Sequence, residues 1–182
     1  MLNAIGFIEL NSIAKGIEVA DHMLKIANVK LMFSTATCPG KYITFIYGDV
    51  ASVENSIKGA KLLGNEFIID DLMIPNVDEQ IFPAITGSSN IEKIGAIGVI
   101  ESLSMASLIV AADTCVKTSA VQLVELRLGS GIGGKSYLIM TGDVSEVNAS
   151  IEAGVEIIKE SGNLVYYTVI PSPHEDFKKT LL

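Results

Sequence analysis

Length, composition and charge exclude several functions for this chain of 182 residues. Its 13 basic and 21 acidic residues give a formal net charge of −8, and in the absence of a basic stripe we expect no nucleic-acid partner. Two cysteines without a signal-peptide pattern predict reduced thiols in an unexported protein rather than a disulfide framework. Hydrophobic residues make up 49% of the chain, and we expect the surplus at interfaces between domains and between subunits.

The chain contains one sequence pattern twice. Ala4-Ile5-Gly6 at the start returns as Ala96-Ile97-Gly98, and further matches follow in the same order. Such a duplication predicts two domains of one fold, which we assign to residues 1–88 and 94–182. Features that both copies keep are expected to be architecture, whereas a feature found in one copy is a candidate for function.

Each copy predicts the same elements in the same order. The elements expected in the first copy are strand Ala4–Leu10, helix Ile13–Ala27, strand Val29–Thr35, strand Lys41–Tyr47, helix Ala51–Leu63 and strand Glu66–Ile74. Those expected in the second copy are strand Ala96–Ser102, helix Met105–Ser119, strand Val121–Leu128, strand Lys135–Thr141, helix Ser145–Glu160 and strand Leu164–Ile170. A short C-terminal helix is expected to close each copy.

The order β-α-β-β-α-β is that of the split βαβ, ferredoxin-like arrangement. It predicts a fold with α and β elements of the α+β type, in which an antiparallel four-stranded sheet carries helices on one face. Ser12, Ser104, Asp49 and Asp143 are the residue types that cap helix N-termini, and Gly64 and Gly162 suit the ends of the second helices.

An apolar run over residues 94–112 could be mistaken for a membrane helix. Its counterpart in the first copy carries Lys15 and Glu18, which a membrane-spanning helix would not tolerate. We therefore expect no membrane segment.

The loop Gly129-Ser130-Gly131-Ile132-Gly133-Gly134 matches the dinucleotide-binding pattern G-x-G-x-x-G. That pattern binds pyrophosphate when a helix follows it, because the helix N-terminus supplies the amide groups. Here a predicted strand follows, so we expect a flexible loop between paired strands and no dinucleotide.

Cys38 is the largest difference between the copies. It lies in the loop Thr37-Cys38-Pro39-Gly40, where the second copy has Ile132. Cys115 replaces Met23 within a helix, and a small buried residue is the expected role there. An activated cysteine nucleophile needs a base, and nothing in the sequence places a histidine beside Cys38.

The remaining candidate residues have structural explanations. His22 lies on a helix, while His174 and its counterpart Asp78 begin the short C-terminal helices. Glu9 and Glu101 end equivalent strands. No paired carboxylates, metal-binding motif or catalytic triad occurs in either copy, so we expect no enzyme.

One cysteine cannot hold a metal cluster alone. Around a threefold axis, however, Cys38 from three subunits would supply three thiolates. Three thiolates can hold an iron–sulfur cluster that keeps one iron for a non-protein ligand. From the residues alone this stands beside the alternative of an incidental loop thiol.

Both copies carry motifs that resemble bacterial microcompartment shell domains. These motifs are Asp21-His22-Met23-Leu24-Lys25-Ile26-Ala27-Asn28-Val29, Asp113-Thr114-Cys115-Val116-Lys117-Thr118-Ser119-Ala120-Val121 and the opening Ala-Ile-Gly-x-Ile-Glu. The chain as a whole is similar to tandem-domain shell proteins. Four of its segments resemble iron–sulfur shell proteins of propanediol-utilisation compartments: Ser12–Gly16, Thr37–Lys41, Gly131–Lys135 and Val169–Glu175.

The resemblance implies a structural tile of a microcompartment shell that assembles as a homotrimer imitating a hexamer. It implies a pore loop around the threefold axis formed by Thr37, Cys38, Pro39, Gly40, Gly131, Ile132, Gly133 and Gly134. It further implies that Cys38 from each subunit ligates one 4Fe–4S cluster per trimer, for electron transfer or cluster exchange across the shell. Lys25 and Lys117 match the lysines at the edges of such tiles.

The expected partners are other copies of the chain, further shell proteins at the tile edges and an encapsulated redox enzyme. Two alternatives remain open. The chain could be a passive tile or metabolite pore without a cluster, or a ferredoxin-like regulatory protein that binds a small ligand.

Overall fold

A computed structural model describes residues 4–181. The chain divides into two compact units between Val77 and Asp78. Each unit contains one four-stranded sheet in which all neighbouring strands are antiparallel. This architecture confirms the fold predicted from the repeated β-α-β-β-α-β order.

The first unit carries four strands and two long helices, with sheet order β2-β3-β1-β4. Its elements are β1 Ala4–Leu10, α1 Ile13–Ile26, β2 Lys30–Thr37, β3 Lys41–Gly48, α2 Val50–Gly64, the 3₁₀ turn Asn65–Phe67 and β4 Ile68–Pro75. The 3₁₀ turn delays the start of β4 by two residues relative to the prediction. The helix α2 ends at Gly64 as predicted, and the positive φ that follows the helix, 42°, belongs to Asn65.

The second unit repeats this arrangement in the order β6-β7-β5-β8. Its elements are α3 Ile81–Thr86, β5 Ala96–Ser102, α4 Met105–Thr118, β6 Gln122–Leu128, β7 Ser136–Gly142, α5 Val144–Glu160, β8 Leu164–Ile170 and α6 Glu175–Lys178. Residues 94–112, the apolar run considered above, are shared between β5 and α4. Within residues 4–181 no helix is long and apolar enough to cross a bilayer.

Side chains cap the helices at the predicted positions. Ser12 and Ser104 accept hydrogen bonds from the backbone N–H groups three residues later, at 3.3 and 3.0 Å. Asp49 accepts from Ser52 N at 2.9 Å, and its hydrogen bonds with Ser52 lower the pKa of this carboxyl group. These caps fix where each helix leaves its strand.

The core of each unit lies between the sheet and the two long helices. Glycines in the first strands let the helices approach closely: a Cβ on Gly6 would lie 2.9 Å from Ile57 Cγ1, and one on Gly98 would lie 2.8 Å from Val147 Cγ1. Both copies keep the glycine because a side chain there would push the second helix away from the sheet.

The segment after β4 packs differently from the sequence assignment, which put residues 78–88 in the first domain. Asp78 N donates to Asp113 Oδ1 at 2.8 Å. The side-chain amide of Gln80 accepts from Leu123 N at 3.0 Å and donates to Val121 O at 3.3 Å. Since β6 is an edge strand, its outer backbone groups can bond to this segment. The segment is therefore part of the second unit.

Candidate metal centre at the Cys38 hairpin

Cys38 lies at the tip of the hairpin that joins β2 to β3. A tight turn forms this tip, in which Gly40 N donates to Thr37 O at 3.0 Å. Gly40 has a φ of 82°, a conformation that favours glycine, and the Cys38–Pro39 peptide bond is cis. The Cys38 thiol is partly exposed, so it can meet a group from outside the chain.

A buried ion pair stands at the base of this hairpin. Lys41, the first residue of β3, places its Nζ 2.5 Å from Glu9 Oε1 near the end of β1. The Glu9 side chain is only 2% exposed, and Thr37, which faces Lys41 in the strand register, is also buried. The pair ties the start of β3 to the central strand immediately behind the cysteine.

The matching hairpin of the second unit has the same ion pair but a different tip. Lys135 Nζ lies 3.0 Å from Glu101 Oε2, with the Glu101 side chain 32% exposed. Four glycines between β6 and β7 have positive φ: Gly129, Gly131, Gly133 and Gly134. The strand β7 follows this loop, as predicted, so the glycines do not lead into a helix N-terminus. Ile132 stands in this loop, where the first hairpin has Cys38.

Cys115, the second cysteine, is part of the core as predicted. Its side chain is fully buried, and its Sγ donates to Ser150 O at 3.1 Å. Burial raises the pKa of this thiol to about 12, so it stays protonated and poorly reactive at neutral pH. A Cβ on Gly154 would lie 2.6 Å from the same sulfur, which shows how little space the site leaves.

The histidines lie at the predicted structural positions. His22 lies on α1, and its Nε2 is directed towards α2, where a Cβ on Gly59 would be 3.4 Å away. His174 caps α6 by accepting from Asp176 N at 3.2 Å. Among residues 4–181 no group of three or more histidine, cysteine or acidic side chains could hold a metal ion. Any cluster at Cys38 would therefore need ligands from other chains.

The two lysines assigned to tile edges occupy matching places on their helices. Lys25 lies in the last turn of α1 and pairs with Asp21. Lys117 lies in the last turn of α4, with its Nζ 2.5 Å from Asp113 Oδ2. The side chains of Lys25 and Lys117 are 69% and 45% exposed, so a neighbouring molecule can contact them.

Edge packing gives a testable expectation for these lysines. Lys25→Ala and Lys117→Ala should weaken the formation of extended sheets, because each removes an exposed cation from the expected contact between tiles. The trimer that we expect should persist in both variants. Electron microscopy of sheets, together with the mass in solution, checks both points, and dissociation to monomers would contradict the edge assignment.

Comparison with known proteins agrees with this architecture. A family profile described as the BMC domain matches residues 4–77 and 96–173. The bacterial microcompartment shell protein PduT of Citrobacter freundii is 43% identical over 182 residues, which cover 100% of this chain and 99% of the relative. The shell protein PduA of Citrobacter freundii is 37% identical over 87 residues, covering 47% of this chain and 90% of the relative.

A solved structure extends the similarity to three dimensions. The crystal structure of a microcompartment protein from Desulfitobacterium hafniense DCB has a TM-score of 0.92 and 50% identity, covering 98% of this chain and 99% of that one. Both BMC matches and the full-length relative point to the same group of proteins. The chain therefore belongs to the family of bacterial microcompartment shell proteins built from BMC domains.

Proposed function

We propose that three copies of this shell protein form a trimeric tile and that Cys38 from each copy ligates one 4Fe–4S cluster on the threefold axis. Such a tile would close part of the compartment surface and carry a redox centre through it. The proposal rests chiefly on one observation: Cys38 is a partly exposed thiol at a hairpin tip that the second copy builds without a cysteine.

The properties of the two cysteines support Cys38 as the ligand. Iron–sulfur clusters are bound by thiolates, which need access to the metal and a pKa that permits deprotonation. Cys115 has neither, since it is fully buried and its pKa is raised to about 12. Within this chain the accessible thiol is therefore that of Cys38.

The tandem arrangement supports a threefold site. Fusing two BMC domains gives each subunit one cysteine hairpin and one glycine hairpin, so a trimer would present three thiolates rather than six. Three thiolates are one fewer than the usual four ligands of a 4Fe–4S cluster. One iron would consequently be left for a non-protein ligand or for a partner.

The chain's own residues would hold the thiolates in place. When bound, a cluster of this kind supplies one-electron transfer. The ion pair between Glu9 and Lys41 fixes the base of the hairpin, and the Gly40 turn sets the direction of its tip. Electron transfer to an encapsulated redox enzyme and exchange of the cluster with the outside are the two roles that this placement suits.

The test is the iron and acid-labile sulfide content of anaerobically purified protein. About four of each per trimer are expected in the wild type. Cys38→Ser should lose both, and Cys115→Ala, the matched control, should keep them.

Iron retained by Cys38→Ser would overturn the assignment of the ligand. A wild-type trimer that holds neither iron nor sulfide, even after reconstitution, would instead leave a passive tile or pore with Cys38 as a lining thiol. The third alternative, a regulatory domain that binds a small ligand, is disfavoured by the family to which the chain belongs.

A further inference from the structure

Residues 78–86 cover a defined surface of the second unit. We call this surface the α4–β6 corner and define it by Asp113, Val121 and Leu123, which accept and donate the three hydrogen bonds described above. Beneath the segment the Asp113 side chain is 9% exposed, and Leu123 is 1% exposed. The segment also buries its own Ile81 completely.

The first unit has the same corner, built from Asp21, Val29 and Leu31, and no segment of residues 4–181 covers it as residues 78–86 cover the α4–β6 corner. The Asp21 side chain is 61% exposed and Leu31 is 42% exposed, against the low values of their counterparts. Lys25 pairs with Oδ2 of Asp21 just as Lys117 pairs with Oδ2 of Asp113. The two corners therefore have the same chemistry and differ in whether a segment covers them.

The chain also contains a second copy of the covering segment, at its C-terminal end. His174–Phe177 corresponds to Asp78–Ile81, and both form the same local turn. Ile81 N donates to Asp78 O at 3.2 Å, and Phe177 N donates to His174 O at 3.0 Å.

Side-chain caps match in the two segments as well. Gln80 N donates to Asp78 Oδ1 at 3.0 Å, and Asp176 N donates to His174 Nδ1 at 3.2 Å. The difference lies in burial: Phe177, at the position of the buried Ile81, is 47% exposed.

We propose that the C-terminal segment of one chain docks on the open Asp21–Leu31 corner of the next chain in the trimer. The inference rests on the trimer of the proposed function and names the contact that closes it. Each chain offers one segment and one open corner, which is the head-to-tail relation that a closed ring requires. With three such contacts, a C-terminal segment would cover the Asp21–Leu31 corner of every chain, just as residues 78–86 cover the α4–β6 corner.

The expected contacts follow from the covered corner. The N–H of His174 would donate to Asp21 Oδ1, as Asp78 N does to Asp113, and Phe177 would cover Leu31. One contact must differ, because Asp176 replaces Gln80. A carboxylate can accept from the Leu31 N–H, but it cannot donate to the carbonyl of Val29 as the Gln80 amide does to Val121.

The first test is the mass of a Phe177→Asp variant in solution. We expect loss of the trimer at micromolar concentration, because the substitution places a charge against Leu31. Leu62→Asp is the matched control, since Leu62 is 85% exposed and belongs to neither corner, and it should remain a trimer. A Phe177→Asp protein that stays trimeric would overturn the proposal.

A second test does not depend on destabilisation. Leu31→Cys combined with Phe177→Cys should form disulfides between chains and give a covalent trimer on a non-reducing gel. Each single variant serves as a control for cross-links through Cys38. A double variant that cross-links no more than the single variants would also overturn the proposal.

Iron measured in the same preparations separates this inference from the cluster. Cross-linked trimers without iron would support the docking contact while rejecting the cluster. Trimers that hold iron but lack the cross-link would support the cluster and reject the docking contact.

Discussion

Lys41→Met is expected to lower the free energy of unfolding by about 3–5 kcal/mol, the usual cost of leaving one member of a buried ion pair without its partner. Methionine keeps most of the apolar stem of lysine but removes the charge. The Glu9 carboxylate, 2% exposed, would then lie in the protein without the ammonium group that stands 2.5 Å away. Water cannot easily replace that partner at a site so deeply buried.

The second copy supplies the control for this variant. Lys135→Met removes the same type of residue from the same position, but Glu101 is 32% exposed and stays hydrated. An exposed pair is worth about 0–1 kcal/mol, so Lys135→Met should cost about 1 kcal/mol or less. Urea unfolding of the two variants measures the difference, and equal losses would show that burial of Glu9 does not govern the stability of the hairpin.

The repeat explains why so much of the fold could be predicted. Each copy independently gave the same element order, and the positions of Ser12, Ser104 and Asp49 located helix starts to within a residue or two. The same comparison singled out Cys38 as the candidate ligand, because the hairpin of the second copy lacks a cysteine. The ion pair with Lys41 was not predicted, although Glu-Lys conservation between the copies was a signal that could have revealed it.

The position of residues 78–86 could not be predicted in the same way. Local pattern identifies a turn and a short helix there, but it does not say which strand edge the segment will bond. That choice involves Gln80, whose amide accepts from Leu123 in β6 and donates to Val121 just before it, and the repeat carries Asp176 in its place. The sequence pattern predicts the turn and the short helix, whereas the strand to which they bond is decided by the tertiary structure.

Gly16 and Tyr42 show a second way in which the copies differ, through packing rather than chemistry. A Cβ on Gly16 would lie 2.4 Å from Tyr42 Cβ, closer than any real contact permits. The second copy has Leu108 and Ser136 at the matched positions, both fully buried. A small helix residue facing a large strand residue has thus been replaced by the opposite combination.

Gly16→Leu alone should therefore be severely destabilising, at or beyond the upper end of the about 1–3 kcal/mol usual for overpacking. Tyr42→Ser alone should cost less than the about 3–5 kcal/mol typical of removing a fully buried aromatic ring, since Tyr42 is only half-buried. The double variant recreates the pair found in the second copy and should recover about 1–3 kcal/mol relative to the sum of the single changes. A double-mutant cycle measured by urea unfolding checks this expectation. If the losses of unfolding free energy from the two single changes were strictly additive, the two copies would pack α1 and α4 against their sheets in different ways. A favourable coupling would show instead that one backbone accepts either residue pair, Gly16 with Tyr42 or Leu108 with Ser136. Side chains could then differ between the two copies, as they do at the Cys38 hairpin, while the fold stays the same.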